Sequence, residues 1–241
     1  MLDLTFFAER RLSIGTLSIA AAYFALFGMY FVITQYLQLV RGYSPLIAGL
    51  CALPAGLAQF AVANLAKPLT TRHGLRPVLT TGLAASAAGL LILATTATAS
   101  QLWTLEAGLA LLGIGIGLTM PPATGAIMSS LPPHKAGVGS AVNDLSGELG
   151  GAFGIGILGS LTIDRYRSHL APILAQSHQP PLIATQAKAG LAQALTTLGG
   201  PHSAPGLAAR NAYTSGLGLA MIVGAALVAA AAVTVHLALA N

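Results

Sequence analysis

Charge is what this sequence has least of. Six acidic and eleven basic side chains are spread over 241 residues, so that 7% are charged, against about 25% in soluble domains. So sparse a set could not cover a water-facing surface, which excludes a soluble globule. A single cysteine, Cys51, excludes an internal disulfide and any cysteine-based metal cluster. Its apolar neighbours mark it as a buried, inert thiol. The net charge of +5 does not point to nucleic acid, because the basic residues are scattered singles with no aromatic-interleaved patch. Nucleic acid is therefore not an expected partner, and the positive excess reads as a topological signal. No removable signal peptide is expected, since the first apolar run is too long and lacks a small-residue cleavage pattern.

What is abundant is apolar surface and glycine. Hydrophobic residues make up 55% of the chain, the mean hydropathy is +0.76, and there are 28 glycines. The fold class is all-α: a polytopic membrane protein with six transmembrane helices. A span needs roughly 20 mostly apolar residues, and segments 13–38, 44–66, 77–98, 101–122, 137–163 and 211–238 qualify. Residues 1–12 read as a cytoplasmic linker and the last few as a short cytoplasmic tail. Arg10, Arg11, Lys67, Arg72, Arg76 and Lys135 fall on one side and Arg41 on the other. The positive-inside rule then puts both termini in the cytoplasm of a multi-pass cell-membrane protein, its first partner the lipid bilayer. Arg165, Arg167, Lys188 and Arg210 count against this, but they belong to a long connection, which weighs less.

That connection, 164–210, is expected outside the cytoplasm. Within it Ile183, Ala187, Leu191, Ala194 and Leu198 fall on one helical stripe. With RSHLAPILAQ before Pro180, this predicts a small helical hairpin; a loosely ordered loop is the other reading. Pro54, inside span two, either breaks that helix or packs against a neighbour.

The chain is organised around residues 111–161, two glycine-dense apolar segments joined by a proline-rich link. Inside a bilayer the backbone must be satisfied internally, so these are helices whose small residues permit close approach. Gly147 with Gly151, and Gly150 with Gly154, form overlapping G-x-x-x-G pairs for helix packing. Gly113, Gly115 and Gly117 follow no strand and precede no Lys-Ser/Thr, which excludes a nucleotide loop.

Carboxylates inside spans cost about 2.5–3.5 kcal/mol on insertion scales, so each is a candidate site. Glu148, Asp144 and Glu106 qualify. Asp144 and Glu148 lie one turn apart on one face of span five. With no basic residue in any span, they would not both stay ionised, and one would take up a proton more readily. Proton/cation exchange requires such a group. The plainer reading puts Asp144 at the interface and Glu148 in a hydrogen bond to a neighbour. Ser140 and His236 both fall near the cytoplasmic face, which would permit a Ser–His hydrolase, but GVGSAV lacks the nucleophile context.

Longer stretches resemble a known family. QYLQLVRGYSPLIAGLCALPAGL (35–57), GIGIGLTMPPATGAIMSSLPP (113–133), GSAVNDLSGELGGAFGIGILGSL (139–161) and the start MLDLTFFAERRLS (1–13) are similar, in order, to the C-terminal half of major facilitator superfamily multidrug exporters of the fourteen-helix drug:proton antiporter type. The resemblance implies one six-helix half of that fold, with no enzymatic activity. It implies proton-coupled efflux of small lipophilic or cationic compounds, driven by the proton gradient without a cofactor. It also implies a partner, either an N-terminal half-transporter or a second copy in a homodimer. The corresponding first helix lines the substrate cavity, which makes Tyr23, Phe27, Tyr30, Phe31 and Gln35 cavity candidates. Arg72, Gly74 and Arg76 match the family's cytoplasmic loop pattern, but Thr71 stands where it has an aspartate. A non-transporting scaffold or remnant is the alternative.

Overall fold

The computed structural model describes residues 9–96, 102–176 and 180–239. Most of the proposed linker, residues 1–8, lies outside them, as do the tip between spans three and four and the last two residues of the tail. All regular structure among the described residues is helical.

Helix α1 (Arg10–Gln35) carries span one and loosens at its end into a π turn, Tyr36–Val40. Span two is two helices, α2 (Pro45–Cys51) and α3 (Leu53–His73). Ser44 caps α2 by accepting from the Ile47 N–H at 3.3 Å, and Pro45 occupies a first-turn position that needs no donor. Pro54 lies in the first turn of α3, so it breaks the span. Gly74 joins α3 to α4 (Leu75–Thr95) with φ of 88°, a backbone state that disfavours any side chain. Helix α5 (Leu102–Ser129) runs through Pro121 and Pro122.

Helix α6 (Ala136–Gln176) has 41 residues, about 61 Å at 1.5 Å per residue and twice the hydrocarbon thickness. The RSHLAPILAQ segment is therefore no separate arm but the far end of α6. A buried row continues without a break through Leu158, Thr162, Tyr166, Leu170 and Leu174, which is why the helix does not stop at 163. Helices α7 (Pro181–Ala189) and α8 (Leu191–Thr197) fold back along it. Ala187, Leu191, Ala194 and Leu198 are buried and Ile183 packs beside them, but the one helix that the stripe predicts is broken at Gly190 into α7 and α8. Helix α9 (Ala204–Ala238), capped by Ser203, completes the chain.

Five helical segments are long and apolar enough to cross a membrane. Helix α6 is not among them, because Asn143, Asp144, Ser146, Glu148 and its glycines dilute its hydropathy. It is nonetheless built into the bundle. α1 packs on α6, α5 and α9; α4 sits between α5 and α9; α3 packs chiefly on α5. The α1–α6 and α5–α3 pairs are equivalent if the last three spans repeat the first three, inverted. Half of each other span's apolar window is buried, but only 17% in α2–α3, so that span forms an open edge.

Glycine makes these seams. A β-carbon on Gly150 or Gly154 would run into the carbonyls of Ala20 or Phe24 on α1; on Gly113 or Gly117 it would meet Ala55 or Gln59 on α3. Gly28 approaches the Gly154 carbonyl to 2.8 Å on the same measure.

Candidate functional site

The glycines of α6 do two jobs. Gly150 and Gly154 admit the α1 backbone, whereas Gly147, Gly151 and Gly159 seat rings. A β-carbon on them would lie 3.1 Å from Tyr23 Cε2, 2.8 Å from Phe27 Cδ2 and 2.9 Å from Phe31 Cε1 respectively. The aromatic residues recur every four positions, so they form a ladder along the α1–α6 joint. Tyr23 and Phe27 stack with centroids 5.6 Å apart at 21°. The joint is not closed over: Phe27 is 43% and Phe31 44% exposed. Tyr30 is partly buried against the core. Gln35 donates from Nε2 to the Phe31 carbonyl at 3.3 Å. With Phe31, Gly156, Gly159 and Ser160 it lines a cavity of about 360 Å³ near the end of the ladder.

Asp144 and Glu148 stand beside this ladder, exposed, on the flank of α6 next to the ring-bearing glycines. Among the described residues neither is ion-paired. Asp144 Oδ1 accepts from Asn143 Nδ2 at 3.3 Å, and Asn143 Oδ1 accepts from the Thr124 hydroxyl of α5 at 2.9 Å. Glu106 is not brought to the pair. It lies about 27 Å along α5 from Thr124. Cys51 is buried.

A larger cavity, about 700 Å³, lies elsewhere. Leu17, Phe24, Leu145, Leu149, Phe153 and Leu227 line it between α1, α6 and α9. On α6 its walls are turned about 100° from Asp144 and Glu148. It offers bulk apolar surface, and its hydroxyls are already used: Thr16 donates to the Leu12 carbonyl and Ser146 to that of Val142.

At the end of the bundle holding the α3–α4 joint, Arg72 is exposed and Gly74 makes the turn. Arg76 Nη2 donates to His236 Nε2 at 2.7 Å, which places that imidazole's proton on Nδ1. His236 thus faces an arginine, not Ser140. At the other end Arg210 donates to the carbonyls of Pro201 and Val40, the latter closing the π turn. Tyr166 donates its hydroxyl to the Ala187 carbonyl at 2.7 Å. Burial pushes that phenol above its ordinary range, so it stays a donor. Sequence reading passed over Thr124, Asn143, His236 as a partner of Arg76, and Arg210. The signal for Asn143 was an amide inside an apolar run; nothing in the sequence paired it with a threonine 19 positions earlier.

The family model described as the Major Facilitator Superfamily matches residues 3–155, more than half of the chain. The chain belongs to the major facilitator superfamily. It is similar to multidrug resistance protein Stp of Mycobacterium tuberculosis, 30% identical over 182 residues, covering 76% of this chain and 34% of Stp. The methyl viologen resistance protein SmvA of Salmonella typhimurium is 32% identical, over 67% of this chain and 32% of its own length. The multidrug efflux pump LfrA of Mycolicibacterium smegmatis is 29% identical over 99% of this chain and 47% of its own. Among solved structures, a bacterial homologue of the lysosomal transporter Spinster, inward-facing and unoccupied, superposes with TM-score 0.68 at 17% identity. The match covers 98% of this chain and 49% of that one. The chain thus spans a third to a half of the length of these relatives.

Major facilitator proteins are membrane transporters, not enzymes, which removes the hydrolase reading of Ser140 and His236. The chain is accordingly a multi-pass membrane protein with the helical architecture of this superfamily.

Proposed function

We propose that this chain supplies one half of a proton-coupled exporter of small lipophilic cations in the cell membrane, both ends in the cytoplasm. The observation that carries the reading is the open joint between α1 and α6. There an unpaired acid couple, Asp144 and Glu148, borders the Tyr23–Phe27–Phe31 ladder. Aromatic faces attract a desolvated cation by about 2 kcal/mol. A carboxylate beside them neutralises either that cation or a proton, and exchange of one for the other is antiport. The proton gradient supplies the energy, with no cofactor. Relatives named for multidrug and methyl viologen resistance support this substrate class, since methyl viologen is an aromatic dication.

Alternating access needs a second half to rock against. The partner is an N-terminal half or a second copy, and it faces the open joint and the edge helix α3. The test is energised efflux of ethidium from cells producing the chain alone and with a relative's N-terminal six helices. Efflux that falls at least tenfold in Glu148→Gln or Asp144→Asn, with protein level unchanged, is the expected result. Efflux indifferent to both substitutions overturns proton coupling here. Absence of efflux in every pairing favours a scaffold.

A further inference from the structure

Hydroxyls in these spans are mostly spent on their own helix. Thr16, Ser86, Thr119, Ser146 and Thr162 each donate to a carbonyl four residues earlier. Thr124 does otherwise: its proton goes to the Asn143 side chain on another helix, 2.9 Å away. α5 and α6 touch over a short stretch only, so this bond is a principal polar tie between them. It also sits just past the two prolines inside α5. Pro121 and Pro122 bring no N–H, which leaves the carbonyls of Gly117 and Leu118 without helical donors and lets the helix bend there. The far end of the tie is a carboxylate, because Asn143 Nδ2 donates to Asp144 Oδ1 at 3.3 Å.

We infer that Asn143 is a positioning residue that couples the proline hinge of α5, through Thr124, to the carboxylate of Asp144. The inference rests on the coupling role proposed above for the acid pair. With Thr124 donating to its oxygen, the Asn143 amide is held with its NH2 toward Asp144. When α5 bends away, the amide is free to rotate and the carboxylate loses a donor. A donated hydrogen bond favours the charged carboxylate, and its loss favours the protonated one. Movement of α5 thereby sets when Asp144 takes up a proton. The other titratable groups facing this stretch are Glu148 on α6 and Tyr23 of α1, whose ring lies on Gly147; α5 brings none between Leu118 and Ser129, and the part of α9 packed beside it, Leu227 to Val235, brings none either.

The test is an infrared pH titration of the reconstituted full chain, with the Asp144 carbonyl band identified as the one lost in Asp144→Asn. In Asn143→Ala and in Thr124→Val the midpoint of that band moves to higher pH by about half to one unit. Thr124→Ser keeps the hydroxyl and leaves the midpoint in place, and the double variant moves no further than Asn143→Ala. Coincident midpoints in wild type and Thr124→Val, or an equal shift in Thr124→Ser, overturn the inference. Thr124→Val is close to isosteric, so it carries the test should Asn143→Ala fail to fold. Efflux that survives Asp144→Asn while the band still moves sinks the coupling role and leaves the positioning intact. A fixed band with failing efflux sinks the positioning alone.

Discussion

Single residues here act mainly through what they leave out. Gly150 has no side chain where the Ala20 carbonyl of α1 passes, while Gly156, two turns on, has nothing within 4 Å of where a β-carbon would stand. Both glycines sit in α6 and both cost helix propensity equally, so a pair of substitutions separates packing from propensity. Gly150→Leu forces the α1–α6 seam apart and lowers stability by at least about 1–3 kcal/mol. Gly156→Leu, by contrast, is neutral or slightly stabilising. Thermal unfolding in detergent, followed by size-exclusion elution, checks both; equal melting temperatures would show that the seam is not held by close backbone approach. The sequence announced glycine packing but not its division of labour. Spacing alone cannot tell a glycine that admits a backbone (Gly150, Gly154) from one that seats a ring (Gly147, Gly151), because both lie on the buried half of the same helix.

At the scale of elements, hydropathy was enough for most spans, and Pro54 marked the break between α2 and α3. Two features escaped it. One is the length of α6: beyond residue 163 the sequence turns polar, but Tyr166, Leu170 and Leu174 extend the buried row. The row is visible only once α7 and α9 are seen to pack on it. The other is the π turn at Tyr36–Val40, whose last carbonyl, that of Val40, is met by Arg210, 170 positions away along the chain. Sequence pattern carries no trace of so distant a partner. The α6 extension makes a specific demand on Tyr166, whose hydroxyl holds the Ala187 carbonyl while Arg167 Nε holds that of Lys188 at 3.0 Å. Tyr166→Phe removes a buried donor and leaves Ala187 unsatisfied, a loss of about 1–3 kcal/mol. Because the bond ties only α7 to α6, the loss falls locally. Hydrogen exchange should speed roughly tenfold or more over 181–197 with little change in α1 or α4. Uniform acceleration across the bundle would mean that α7 and α8 are integral to global stability instead.

For the whole molecule, the decisive asymmetry is between covered and uncovered sides. α4 is half buried between α5 and α9, whereas α3 is open along most of its length and α6 shows solvent the flank bearing Asp144, Glu148, Ala152 and Ile155. Lipid suits the apolar part of that surface, but two carboxylates without ionic partners are costly there. The cost is avoided if a second six-helix body closes over the joint and leaves a watered cleft between the two. Cysteine cross-linking distinguishes this from a lone bundle, with Cys51 buried and so silent to short reagents. Ala152→Cys or Ile155→Cys, on the acid-bearing flank, should form a cross-linked species with the partner half or with a second copy. Val233→Cys, 57% exposed on α9, should not, because that part of α9 borders the apolar cavity and not the acid-bearing flank. A matching yield at Val233 would assign the contact to random collision in the bilayer. No cross-link at 152 or 155 in any pairing would leave the acid flank facing lipid and overturn the closing second body.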